Sequence, residues 1–210
     1  RQLGRLFQHV QNDHTLAKNT IILACSDNGP DPGLGSPGPF RGYKTQLFEG
    51  GIRSSLVVWA PTLMNEDALG TVNQDSIFTA IDLVPSLLEI CQASPAPNTT
   101  FDGEPLPDIL LGESNSSRKK PIFFRRPPDR NRFYGVNDLP DLAVRNGHWK
   151  LLCEYDGSAP LLYDLSIDPK ESKNLAKQRP DILKELTKAV VAWHNAMPTD
   201  NGPALEYGSD

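Results

Sequence analysis

Ile21-Ile22-Leu23-Ala24-Cys25-Ser26-Asp27-Asn28-Gly29 is the stretch that decides how this 210-residue chain is read. Its first five residues form a short apolar run opened by β-branched side chains and closed by turn-forming ones. Such a run reads as a buried strand of a parallel sheet. In open α/β sheets, ligand chemistry gathers just beyond the carboxyl ends of the strands. Asp27 and Asn28 stand at that edge, and each offers a hard side-chain oxygen. Oxygen ligands suit calcium or magnesium, whereas zinc prefers nitrogen and sulfur. Ser-Asp-Asn-Gly is also a good turn, because Asp and Asn tolerate turn geometry and Gly supplies positive φ. On these four residues alone the turn and the metal-ligand pair are both open.

Downstream, eight of the eleven residues from Gly29 to Pro39 are glycine or proline, which spells a long irregular loop. The loop returns through Phe40-Arg41-Gly42-Tyr43-Lys44 to Glu49-Gly50-Gly51. Lys44 is either a point positive charge carried over an anionic substrate or a solvated surface lysine. Arg41 either binds an anion or steadies the loop through hydrogen bonds to carbonyls. Glu49-Gly50-Gly51 reads as backbone punctuation, with glycines permitting close approach or a bulge.

Around this centre the pattern is mixed. Leu3, Leu6, Phe7 and Val10 fall on one helical face, and the polar stretch Asn12 to Asn19 turns the chain into the strand. Ile52 to Ala60 reads as a second sheet strand. Asp75 to Gln92 carries a 3.6-residue apolar period; Pro85 either starts the regular helix or kinks it, and Asp82 lies in its N-cap region. Residues 93–117 are rich in Pro, Ser and Asn, with a helical hint at Pro107 to Leu111, so the sequence divides into parts 1–115 and 116–210. In the second part, Pro121 to Arg125, Leu142 to Arg145, His148 to Glu154 and Leu161 to Leu165 read as strands. Asn146-Gly147 marks a hairpin, and Arg179 to Met197 reads as one covering helix. That second part is an antiparallel sheet with a packing helix, an α+β unit.

The totals set limits. A net charge of −5 argues against a general nucleic-acid binder, and no apolar run approaches the roughly 18 residues of a membrane span. Cys25, Cys91 and Cys153 make no paired metal-ligand pattern and read as small core hydrophobes. His9, His14, His148 and His194 read as surface or packing residues. Seven basic residues (Arg118, Lys119, Lys120, Arg125, Arg126, Arg130, Arg132) accompany the single acid Asp129. They either gather a polyanion or protect an edge strand. Asn98 and Asn115 open Asn-x-Ser/Thr triplets, from which no compartment follows.

Taken in order, these pieces resemble the C-terminal portion of a type I sulfatase, the arylsulfatase branch of the alkaline-phosphatase superfamily. The series runs from Asn19-Thr20-Ile21-Ile22 to Ser26-Asp27-Asn28-Gly29, then Arg41-Gly42-Tyr43-Lys44, Glu49-Gly50-Gly51-Ile52-Arg53 and Trp59-Ala60-Pro61. It continues with Asp82-Leu83-Val84-Pro85-Ser86 and Asp102-Gly103. Val144-Arg145-Asn146-Gly147-His148-Trp149-Lys150-Leu151, Leu162-Tyr163-Asp164-Leu165 and Asp168-Pro169-Lys170-Glu171 complete it.

The resemblance implies a sulfatase-like α/β sandwich followed by a small α+β subdomain, and a sulfuric ester hydrolase. Asp27 and Asn28 would be calcium ligands (magnesium less favoured) and Lys44 would contact the sulfate; Arg41, in its anion-binding alternative, is the candidate substrate-binding residue. The implied partners are a sulfated sugar or aryl sulfate and an N-terminal segment of the same enzyme. A periplasmic, secreted or lysosomal setting is the family expectation. The family's formylglycine motif, Cys-x-Pro-Ser-Arg or its serine form, does not occur: Cys25, Cys91 and Cys153 each lack a proline two residues on. The chain is therefore expected not to turn over alone. Two alternatives are a phosphonate or phosphodiester hydrolase of the same superfamily and a non-catalytic relic of the fold.

Overall fold

The computed structural model describes residues 2–126 and 139–198. The elements run α1 (Gln2–Asn12), α2 (His14–Asn19), β1 (Ile22–Cys25), α3 (Glu49–Ile52), β2 (Leu56–Trp59), α4 (Ala80–Ile90) and α5 (Pro107–Leu111). They continue with β3 (Ile122–Arg125), β4 (Leu142–Asn146), β5 (Trp149–Cys153), β6 (Leu161–Asp164) and α6 (Pro180–Ala196). Two compact units result: residues 2–26 with 55–120, and 27–54 with 121–126 and 139–198. The sequence division at 115/116 counts residues 27–54 with the first part. By packing, they lie with the second unit.

In the first unit β1 pairs with β2, and the pairing is antiparallel, with Leu23 opposite Val58. The expectation of a parallel sheet is thereby corrected. An apolar run specifies burial but not the direction of the neighbouring strand. Phe7 of α1 stacks on Trp59 with ring centroids 5.4 Å apart. The polar stretch expected to be a turn holds α2, because Asp13 caps it by accepting from the N–H groups of Thr15 (2.8 Å) and Leu16 (3.1 Å).

Helix α4 starts at Ala80, so Pro85 lies inside it. Asp82 is not the cap but its third residue, and it accepts from the N–H of the capping residue Thr79 at 3.0 Å. Proline has no N–H, so the carbonyl of Ile81 loses its helical donor. Gly103 packs against that carbonyl, where any Cβ would overlap the oxygen. The buried face of α4 is Asp82, Pro85 and Ser86, while Ile81 and Val84 are exposed. Asp82 Oδ1 accepts from Arg118 Nη1 at 2.6 Å and from the N–H of Glu104 at 2.8 Å. Ser86 Oγ donates to the Asp82 carbonyl at 2.6 Å and accepts from the N–H of Leu106 at 2.8 Å. Arg118 is thus an internal partner rather than part of an exposed basic edge.

The second unit is built on an antiparallel meander in the order β3-β4-β5-β6. The β4–β5 hairpin turns on Gly147-His148, one residue later than the sequence signal, with Asn146 paired to Trp149 and Gly147 at φ 58. Glycine at the first central position suits a two-residue hairpin. Alternation sorts the strands' side chains onto two faces. Leu142, Val144, Leu151, Cys153 and Leu162 pack with Leu186 and Val190 of α6. Ala143, Leu152 and Tyr163 take the other face with Leu47, Phe48 and Leu165. One face of the sheet is therefore covered by α6 and the other by the end of the loop.

Arg126 pairs with Asp141 at 3.0 Å, whereas Arg130, Arg132 and Asp129 lie outside the described residues. Cys153 is buried, as expected, but Cys25 and Cys91 are exposed and do not fill a core. No described helix is long and apolar enough to cross a membrane.

Candidate functional site

Asp27 and Asn28 follow directly on β1; Asp27 is exposed and Asn28 half-buried. The backbone then turns inward at Gly29, whose N–H donates to the carbonyl of Gly51 at 2.9 Å. A Cβ on Gly29 would overlap the carbonyl oxygen of Gly50. Only glycine permits this crossing of the two loop ends, so the glycines act as the close-approach residues the sequence suggested. Beyond it the glycine-proline excursion stays outside, with Leu34 88% exposed.

Lys44 is brought back by its backbone: its N–H donates to the carbonyl of Pro30 at 3.0 Å, two residues past Asn28. Its side chain is 38% exposed, and the ammonium pairs with Asp31 Oδ2 at 3.6 Å. Thr45, next to it, has φ 75, a conformation that a β-branched residue adopts only when its surroundings impose it. Arg41 takes the loop-steadying alternative in this structure: Nη1 donates to the Tyr163 hydroxyl at 3.1 Å and to the Glu171 carbonyl at 3.2 Å. Its guanidinium carbon also lies 3.9 Å from the centre of the Phe48 ring.

Sequence reasoning missed the cluster at the end of the loop. Glu49 is not mere punctuation. Its carboxylate is buried and accepts from Lys150 Nζ at 2.9 Å and from Arg145 Nη1 at 3.3 Å, with Arg53 at 3.8 Å. Its own N–H donates to Glu171 Oε2 at 2.6 Å, and Lys150 Nζ lies 2.8 Å from Glu171 Oε1 as an ion pair. Burial pushes the Glu49 carboxyl up, but Lys150 and Arg145 outweigh it and hold the group below the usual carboxylate range. Burial wins at Glu171, which stays above that range despite Lys150. One signal was available beforehand: Lys150 is a lone charge inside the apolar strand Trp149-Lys150-Leu151-Leu152-Cys153, and a lysine is almost never fully buried without a partner.

Asp27 and Asn28 are a hard-oxygen pair of the kind calcium takes, but calcium needs six or more oxygens. Among the described residues no group of three or more His, Cys, Asp or Glu side chains stands together as a metal cage. The donor set fits part of a shell.

The family model for Sulfatase matches residues 1–93. Over 203 aligned residues the chain is 32% identical to human arylsulfatase A, covering 83% of this chain and 38% of that protein. It is 28% identical over 200 residues to an N-acetylgalactosamine-6-O-sulfatase of Bacteroides thetaiotaomicron, covering 82% of this chain and 36% of the relative. A solved Bacteroides thetaiotaomicron structure, described in connection with metabolism of multiple glycosaminoglycans, matches with TM-score 0.72 at 24% identity. That match covers 92% of this chain and 42% of the other. Fold and sequence together are those of a sulfatase. The chain belongs to the sulfatase family, with arylsulfatases among its relatives, and it spans about two-fifths of the length of the relatives it matches.

Proposed function

We propose that this chain forms part of a sulfuric ester hydrolase in which Asp27 and Asn28 hold a divalent cation, calcium rather than magnesium, and Lys44 receives the sulfate. The observation that carries the reading is the backbone closure of the loop. The hydrogen bond from Lys44 N–H to the Pro30 carbonyl returns a cationic residue to the chain just beyond the Asp27-Asn28 pair. A bound cation would offset the negative charge of the sulfate oxygens.

The reaction is hydrolysis: over the whole cycle water supplies a new oxygen to sulfur, the bond from sulfur to the ester oxygen breaks, and the departing oxygen takes up a proton, leaving the alcohol and free sulfate. Lys44 Nζ donates hydrogen bonds to a sulfate oxygen and to the ester oxygen as charge develops there, and electrostatic aid of this kind grows in the transition state. Before substrate arrives, Asp31 Oδ2 stands 3.6 Å from that ammonium as its ion-pair partner. The family's formylglycine supplies the nucleophile and would come from outside these 210 residues. The chain alone then binds the cation without turning over. The substrate class is a sulfated sugar or aryl sulfate. The sugar half of that proposal is supported by a relative named as an N-acetylgalactosamine-6-O-sulfatase.

Two measurements test the reading. Calcium titrated by calorimetry into this chain should give a binding isotherm that Asp27→Ala abolishes; an identical isotherm for the variant overturns the metal assignment. The enzyme that contains this chain should cleave aryl sulfates faster than aryl phosphates, and the reverse order overturns the sulfatase assignment.

A further inference from the structure

We infer that Lys150, Glu171 and Tyr163 are positioning residues: acting through Glu49 and Arg41, they hold the loop of residues 27–52 where Asp27, Asn28 and Lys44 act. The role assigned to the held residues rests on the function proposed above. The anchoring itself rests on geometry.

Sheet register puts Arg145 opposite Lys150, and Lys150 opposite Tyr163. Three polar side chains therefore form one row across β4, β5 and β6. Two cations directly opposite each other destabilise an antiparallel pair, so this row has no reason to exist for the sheet's own sake. The loop supplies the reason: Glu49 sets its carboxylate between them, 3.3 Å from Arg145 and 2.9 Å from Lys150. The third member of the row, Tyr163, accepts from Arg41 of the same loop at 3.1 Å.

Glu171 closes the arrangement from a different segment. Its side chain takes the N–H of Glu49 and its carbonyl takes Arg41. Glu171 does this at φ 54, a left-handed conformation that a non-glycine residue holds only under constraint. Leu47 and Phe48 add apolar anchorage between the two polar ones. The chain is thus tied at Arg41 and again at Glu49, on either side of Lys44 and Thr45. The Gly29–Gly51 hydrogen bond passes that fixed position on to Asp27 and Asn28.

The test is hydrogen exchange of the 210-residue chain, read segment by segment, together with a calcium titration. Lys150→Met alone strands two buried carboxylates and risks the fold. The double variant Lys150→Met/Glu171→Gln leaves Glu49 with Arg145 and Arg53 and no orphaned charge. It should speed exchange in residues 29–52 about ten-fold or more while α6 and β4 keep their protection. Tyr163→Phe should give a smaller rise confined to residues 41–46.

Unchanged exchange in the loop, or an equal loss across sheet, helix and loop, overturns the inference, since the second pattern marks a merely structural role. Calcium affinity should fall in the double variant in step with loop exchange. If the wild-type chain binds no calcium, the metal assignment fails, while the exchange pattern still decides the anchoring.

Discussion

Each compact unit buries a carboxylate, and the two do it differently. Asp82 is enclosed by near neighbours in sequence: Thr79 three residues back, Glu104 twenty-two ahead and Arg118 thirty-six ahead. One acid meets one cation, and backbone N–H groups take the remaining lone pairs. Glu49 is enclosed by Lys150 and Glu171, 101 and 122 residues away, in a cluster of two acids and three cations. The first arrangement closes on itself and welds a helix to the segments beside it. The second joins a half-exposed loop to a sheet. A local buried pair joins neighbouring segments of one unit; a long-range one fixes where something else stands. Neither is strong evidence of net stabilisation, because desolvating both charges offsets much of their attraction.

The comparison can be broken most forcefully at Lys150. Lys150→Met leaves the Glu49 and Glu171 carboxylates buried with only rim cations, and should destabilise the second unit by about 3–5 kcal/mol. Urea unfolding followed at Trp149 and Trp193 reads that unit. Arg118→Met should cost the first unit about 3 kcal/mol, less than Lys150 because three N–H bonds to Asp82 and its neighbours remain; unfolding followed at Trp59 measures it. Ser86→Ala removes a donor to the Asp82 carbonyl and an acceptor for Leu106, and should cost about 1–2 kcal/mol in the same assay.

A pH series sharpens the contrast further. Glu49 is held below its ordinary range, so its contribution is present above the unfolded value and is lost as pH falls through the folded one. Glu49→Gln should therefore be destabilising at neutral pH and converge on wild type in acid. Glu171 is held above its ordinary range, so its contribution is present below the unfolded value and is lost as pH rises through the folded one. The stability of Glu171→Gln relative to wild type should accordingly improve from acid to neutral pH. Parallel curves for the two variants would refute opposite shifts within one cluster.

The smallest effect concerns the thiols. Burial and nearby carboxylates push Cys153 up to about 12, while Cys25 and Cys91 are exposed. Mild alkylation of the folded chain should label the latter two, and Cys153 only after denaturation.

What the sequence revealed follows the range of the forces involved. The strands from β3 to β6 and the helix α6 were legible because period-2 and period-3.6 apolar patterns are local. The hairpin between β4 and β5 was legible to within one residue. Helix α2 was hidden, since its six residues carry no apolar face and owe their turn to Asp13. The antiparallel partner of β1 was hidden because strand direction belongs to the pairing, not to the run. Asp27, Asn28 and Lys44 could be picked out as chemically suggestive, and their roles remain proposals. Glu49 was singled out only as part of a glycine turn, and its role was not legible: its meaning lies in residues about a hundred positions away, and only the solitary Lys150 in an apolar strand hinted at it.

The 122-residue span between Glu49 and Glu171 also has a consequence in time. A ribosome adding roughly 5–20 residues per second needs on the order of 6–24 s to make the second after the first. Throughout that interval the nascent loop lacks its Glu171 anchor. Any helper that shields newly made chains would meet it open, and its final shape waits for the turn that follows β6.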